Sequence, residues 1–177
     1  MNLMIGELCV NILIAYVTKH GTTEACAKKL AEKLEGSVTL VDVKKDPAAT
    51  AQGYDKIILG VPIYGGDIER EMKHFVHQNF PQIMGKPLGL YICGLFEGEK
   101  GLAGLKKAYP EQLLKKAIVA DLFGGSVVQS KLGFLERPIF RMVTKIKTDY
   151  SNVSDEKIAA FAERMNANIA PKKSKAN

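Results

Sequence analysis

Val10-Asn11-Ile12-Leu13-Ile14-Ala15-Tyr16-Val17-Thr18-Lys19-His20-Gly21-Thr22-Thr23 is the stretch from which the fold is read. Its first seven residues form a near-continuous apolar run, the pattern of a strand buried on both faces of a parallel sheet. After Thr22 the apolar positions Ala27, Leu30, Ala31 and Leu34 fall at i, i+3, i+4, i+7. Lys28, Lys29, Glu32 and Lys33 take the other side, and Gly36 is a stop, so an amphipathic helix covering the sheet is expected. The loop between them, Thr18, Lys19, His20, Gly21, Thr22 and Thr23, places hydroxyls and free backbone N–H groups at a helix N-terminus. That arrangement favours an anion, although an ordinary turn with a Thr cap uses the same residues. Neither G-x-G-x-x-G nor G-x-x-x-x-G-K-[ST] is present, so a monophosphate suits the loop better than a dinucleotide or a nucleoside triphosphate.

The alternation repeats downstream. Ser37 to Val43 reads as strand, Lys56 to Val61 as a buried strand, Glu69 to Phe80 as helix and Leu88 to Cys93 as strand. Gly101 to Lys116 reads as helix interrupted at Tyr109-Pro110, since proline disfavours helix in the residue before it. Ala117 to Val128 is the expected fifth strand, bent at Gly124-Gly125. Two helices close the chain. The first carries Leu135, Ile139, Met142, Val143 and Ile146; the second has Ser154 as N-cap, Asp155 and Glu156 in its first turn, and Ile158, Phe161, Ala162 and Met165 as its stripe. Strands alternating with helices imply an α/β fold with a parallel sheet covered on both faces. Ligands of such sheets bind beyond the carboxyl ends of the strands, which singles out the loops after Tyr16, Val61 and Cys93.

At 177 residues the chain fits one domain that can bury its own core. Residues 1–9 read as an N-terminal extension, 10–168 as the domain and 169–177 as a disordered basic tail. An apolar share of 46% and a charged share of 25% are those of a soluble globular protein, and no apolar run approaches the roughly 18 residues of a membrane span. Met1 to Glu7 lacks a basic n-region, which points to a cytoplasmic address. Cys9, Cys26 and Cys93 are odd in number and free of C-x-x-C spacing, so they read as reduced thiols. His74 and His77 sit at i, i+3 without a carboxylate partner, and no metal is expected. No side chain stands out as a catalytic acid or base.

With those residues in view, the segment from Tyr16 to Leu30 closely resembles the flavodoxin signature, departing from it at Ala15. From about residue 10 to residue 168 the chain is also similar to the flavodoxin-type, quinone-linked protoporphyrinogen dehydrogenases, notably in Ile58-Leu59-Gly60 and the following Tyr64-Gly65-Gly66. The resemblance implies a flavodoxin-like three-layer α/β/α sandwich whose five-stranded parallel sheet runs in the order 2-1-3-4-5, with flavin mononucleotide (FMN) as cofactor. The phosphate would lie in the loop from Thr18 to Thr23, and the flavin ring between Pro62-Ile63-Tyr64-Gly65-Gly66 and Gly94-Leu95-Phe96. Tyr64 offers a stacking surface and the glycines a close backbone approach. Glu97 and Glu99 would put negative charge near the ring, disfavouring its anionic reduced form. The chemistry of such a protein belongs to the cofactor.

Arg137, Arg141 and Lys145 recur at i, i+4, i+8 opposite the apolar stripe of the first closing helix, with Lys131 and Lys147 near its ends. That face and the net charge of +6 suit an anionic membrane surface, an anionic substrate or an acidic redox partner, and equally an ordinary solvated helix. Electron transfer through FMN is the first reading; electron-carrier flavodoxins are acidic, so the charge counts against a plain carrier, and the resemblance makes the second reading concrete: oxidation of protoporphyrinogen in heme biosynthesis, with electrons passed to a membrane quinone. The segment between the fourth and fifth strands lacks the strongly basic, aromatic character of those enzymes. A non-catalytic binding module on the same fold is the remaining alternative. No aromatic-basic stripe or helix-turn-helix points to nucleic acid.

Overall fold

The structure is a computed structural model and describes residues 9–63 and 69–167. Tyr64, Gly65 and Gly66, residues 1–8 of the expected extension and the 169–177 tail lie outside the described residues. In chain order the first elements are β1 (Asn11–Tyr16), α1 (Thr22–Ala31), β2 (Ser37–Asp42), β3 (Lys56–Pro62), α2 (Arg70–Gln78) and α3 (Phe80–Met84). They are followed by β4 (Leu88–Cys93), α4 (Gly98–Ala108), α5 (Glu111–Lys116) and β5 (Val119–Leu122). The five strands are all parallel and lie in the order β2-β1-β3-β4-β5, as the resemblance implies.

Strand alternation divides the core into two layers. Leu13, Ala15, Ile57, Leu59, Leu90 and Ile92 face α2 to α5 through Met72, Phe75, Ile83, Leu105 and Leu113. Ile12, Ile14, Ile58 and Tyr91 point the other way, against Cys26, Ala27 and Leu30 of α1 and Ile158, Phe161 and Met165 of α7 (Asp155–Ala167). The continuous apolar runs of β1, β3 and β4 are explained by this: both faces of each strand are covered. The α7 stripe is buried as its spacing predicts, and Ser154 caps it, its hydroxyl oxygen accepting the Lys157 N–H at 3.2 Å.

Two sequence expectations are corrected. The helix expected from Glu69 to Phe80 breaks at Asn79, whose side chain accepts the Ala51 N–H at 2.7 Å and donates to the Phe75 carbonyl at 3.0 Å. Competition of a side-chain amide with the helical ladder is the cause. The expected strand from Ala117 to Val128 stops at Leu122, because Gly124 takes a left-handed φ of 86° and turns the chain out of the sheet. Beyond it, β6 (Ser126–Val127) pairs antiparallel with β7 (Tyr150–Ser151) as a separate ribbon. Between β6 and β7 in the chain lies α6 (Glu136–Thr144). It buries none of its side chains: Ile139, Met142 and Val143 are exposed, and Arg137 and Arg141 bond the turn at 129–131 and the residue after it. The break at Tyr109-Pro110 appears between α4 and α5, where Tyr109 is extended and its buried hydroxyl donates to the Leu59 and Tyr91 carbonyls, each at 2.9 Å.

Candidate functional site

The loop after β1 is shaped by its own side chains. Thr18 Oγ1 accepts the Gly21 N–H at 3.0 Å, and Gly21 adopts φ 93°, a conformation costly for any residue with a Cβ, before α1 begins. Thr22 turns its hydroxyl toward β6, 2.8 Å from Ser126 Oγ and 3.2 Å from the Ser126 carbonyl oxygen. Thr23 points into the protein instead. It is buried, and its carbonyl accepts the Tyr91 hydroxyl at 3.1 Å.

Charge at this end of the site is mixed. Lys19 donates to the Glu136 carboxylate, and His20 Nε2 stands 3.7 Å from the other oxygen of the same group. The Lys131 amine lies about 4.0 Å from where a Cβ on Gly21 would sit. Burial holds the His20 imidazole below its ordinary pKa, with Lys19 and Lys131 adding to that and Glu136 opposing it. Lys19's hydrogen bond and the Gly133 N–H hold the Glu136 carboxyl below its usual range. Lys19 and His20 thus already receive a carboxylate.

From this loop a cleft of about 350 Å³ opens over the carboxyl ends of β3 and β4. Pro62 and Ile63 form one side, Gly94, Leu95 and Phe96 another, and the segment from Gly125 to Val128 a third. Leu132, Ile139, Phe140 and Val143 close it from α6 and the turn before it. Gly125 is required by close approach: a Cβ there would stand 2.7 Å from the Gly94 carbonyl carbon and 2.9 Å from the Leu95 nitrogen. Asn152 ties these loops together, accepting the Gly125 N–H at 2.8 Å and donating to Glu97 at 2.8 Å and to the Leu95 carbonyl at 3.3 Å.

Of the residues singled out in the sequence, Lys19, His20, Thr22, Pro62, Ile63, Gly94, Leu95 and Phe96 line one cleft. Thr18 and Gly21 shape its loop, Thr23 lies beneath it, and Glu97 and Glu99 are not among its lining residues. Sequence reasoning missed Ser126, Glu136, Asn152 and the apolar wall of α6. Lys131 was noted as a basic residue near a helix end, with no hint of its place beside Gly21.

A Flavodoxin domain family model matches residues 13–154. The chain belongs to the flavodoxin-domain family. No curated protein matches it. Among solved structures, this flavodoxin domain is similar to the flavodoxin of Streptococcus pneumoniae TIGR4, at 18% identity and a TM-score of 0.56, covering 90% of this chain and 100% of that one. Oxidised flavodoxin 1 from Bacillus cereus matches at 16% identity and a TM-score of 0.57, covering 90% and 99%. A flavodoxin variant of Fusobacterium nucleatum bound to flavin mononucleotide matches at 18% identity and a TM-score of 0.54, covering 92% and 98%. At these identities the three likenesses concern the fold. FMN is the cofactor of a flavodoxin domain, and sheets of this strand order bind ligands at the switch point between β1 and β3. The cleft fits it: Lys19 and His20, which already receive a carboxylate, lie at one end beside the start of α1, and apolar walls lie beyond. Its volume lies within the range of small-molecule sites.

Proposed function

We propose that this flavodoxin domain carries electrons through FMN, with the phosphate at the loop from Thr18 to Thr23 and the ring against Ile63, Leu95 and Phe96. The observation that carries this reading is the continuity of the cleft, from the cation-lined end of α1 to the apolar walls over β3 and β4. FMN supplies the electron chemistry when bound. The protein's part is to hold and shield it. Thr22 and Ser126 offer adjacent hydroxyls to an anion, Lys19 and Lys131 supply charge, and Pro62, Ile63 and Leu95 exclude water from the apolar portion. Buried, unpaired Cys26 and Cys93 thiols agree with a reducing, cytoplasmic setting. The redox partner is a protein or a quinone.

A second reading, the quinone-linked oxidation of protoporphyrinogen, is favoured by α6. Its apolar side chains wall the cleft mouth, as suits a lipid-soluble acceptor, and five cations lie between Lys131 and Lys147, as suits a carboxylated tetrapyrrole. The absorbance spectrum of the purified protein, with chromatography of what denaturation releases, tests the first reading. Released FMN is the expected result; a colourless protein that takes up no added FMN overturns it. Oxidation of protoporphyrinogen by the FMN-loaded protein with a quinone acceptor decides the second.

A further inference from the structure

Helix α6 leaves large apolar side chains open to water. Its charged side chains bond the turn before the helix and the first loop: Arg137 Nε donates to the Leu132 carbonyl at 3.1 Å, an Arg141 guanidinium nitrogen to Gln129 at 3.4 Å, and Glu136 receives Lys19. Outward point Leu135, Ile139, Met142 and Val143, with Phe134 just ahead of the helix; Phe134 is 89% exposed and Met142 77%. Single exposed apolar residues need no explanation, but five on one helix and its entry form a patch that marks a binding surface. No element among the described residues covers it.

Charge selects the occupant. From Lys131 to Lys147 the chain carries Lys131, Arg137, Arg141, Lys145 and Lys147 against a single carboxylate, Glu136, which is neutralised by Lys19. A hydrophobic ridge framed by cations fits an anionic bilayer surface, into which a helix of this kind sinks its apolar side while lysines reach the headgroups. No helix among the described residues is long and apolar enough to cross a membrane, so the contact would be peripheral. We propose that α6 docks this domain in the plane of an anionic lipid surface through Phe134, Leu135 and Met142. Ile139 and Val143 lie both on the exposed stripe and in the cleft wall, so docking brings the cleft mouth to the hydrocarbon boundary. The proposal is independent of the cofactor, because lipid binding is read without flavin chemistry.

Flotation of the full chain with vesicles of phosphatidylcholine and phosphatidylglycerol, against vesicles of phosphatidylcholine alone, tests it. Partition onto the anionic vesicles is expected to exceed that onto neutral ones at least ten-fold and to weaken with added salt. The variant F134S/L135S/M142S touches no residue of the cleft lining and is expected to lose at least ten-fold in partition, with its far-ultraviolet circular dichroism unchanged. K145E/K147E provides an independent variant, with the same loss expected on anionic vesicles. Failure of the wild type to float overturns the proposal. So does equal flotation of F134S/L135S/M142S, which would mean adsorption by charge alone. A concentration-dependent dimer in sedimentation, abolished by the same variant while lipid binding is absent, would assign the patch to a second copy of the chain.

Discussion

The Thr22 and Ser126 side-chain oxygens stand 2.8 Å apart although 104 residues separate them in sequence. Thr22 opens α1 at the carboxyl end of β1; Ser126 begins the ribbon strand β6 after the Gly124 turn. Both line the cleft at its cation-rich end, so two loops from opposite parts of the chain present hydroxyls to one point. Thr22→Val keeps the shape of the side chain and removes its donor, and Ser126→Ala removes the partner. A hydrogen bond to a charged group contributes about 1.5–3 kcal/mol, so each change is expected to weaken FMN binding roughly ten-fold or more. The double variant should lose less than both losses together, since the residues touch. Quenching of flavin fluorescence on titration with apo-protein reads this, and unchanged affinity in both single variants removes the phosphate assignment.

Gly60 is expected to tolerate no side chain. A Cβ there would fall 2.0 Å from the ring of Tyr91, which is fully buried, stacked on Phe123 at 4.7 Å between centroids and bonded to the Thr23 carbonyl. The ring cannot retreat without losing those contacts. Overpacking of this kind costs about 1–3 kcal/mol, so Gly60→Ala should lower the urea midpoint accordingly with an unchanged denaturant slope. A loss below about 0.5 kcal/mol, the scale of an ordinary surface change, would mean that the Tyr91 ring moves freely.

The sheet was legible because β1, β3 and β4 are buried on both faces, and continuous apolar runs such as Ile12 to Tyr16 have few other uses. The loop after β1 was legible for a related reason: its threonines and glycine act locally, on their own backbone. What lay beyond reading was made by distant contacts. Ser126 reaches Thr22 only because Gly124 leaves the sheet, a turn that looks in sequence like a bend within a strand. Glu136 reads as a helix-start acid, yet its carboxylate closes on Lys19 of the first loop. The stripe of α6 has the same period whether it faces core or solvent, so periodicity could not say which way the helix turns.

Gly125 should be intolerant in a different way from Gly60. Its missing Cβ would meet backbone, the Gly94 carbonyl carbon at 2.7 Å and the Leu95 nitrogen at 2.9 Å, which no rotamer change relieves. Gly125→Ala is therefore expected to push the loop after β4 away from β6, weakening FMN binding as well as stability, the latter by about 1–3 kcal/mol. Gly133→Ala meets only the Glu136 side chain at 3.4 Å, an ordinary contact, and should leave stability within about 0.5 kcal/mol of wild type. Equal behaviour of the two variants in flavin titration and urea unfolding would contradict the close approach of the loops.

Glu136 joins α6 to the first loop, and its ionisation fixes how that junction responds to pH. Lys19's hydrogen bond, then the Gly133 N–H, which the carboxylate accepts at 3.0 Å, keep its pKa below the ordinary 4.5. A depressed carboxyl pKa stabilises the folded form above the ordinary value, and the contribution is lost as pH falls through the lower, folded value. The share of the unfolding free-energy difference between wild type and Glu136→Gln that comes from Glu136 and Lys19 should therefore be constant above pH 4.5 and shrink in more acid solution, with a separate change below pH 6.5 as His20 gains its proton beside Glu136. It should be small throughout, because the pair is open to solvent. The same carboxylate occupies cations that a phosphate would use. Removing a charge pair of this kind is worth about 0.2–1 kcal/mol, so Glu136→Gln is expected to tighten FMN binding at neutral pH by about 1.4- to five-fold. Weaker binding in that variant would mean that the link from α6 to the loop helps to hold the cofactor instead of competing with it.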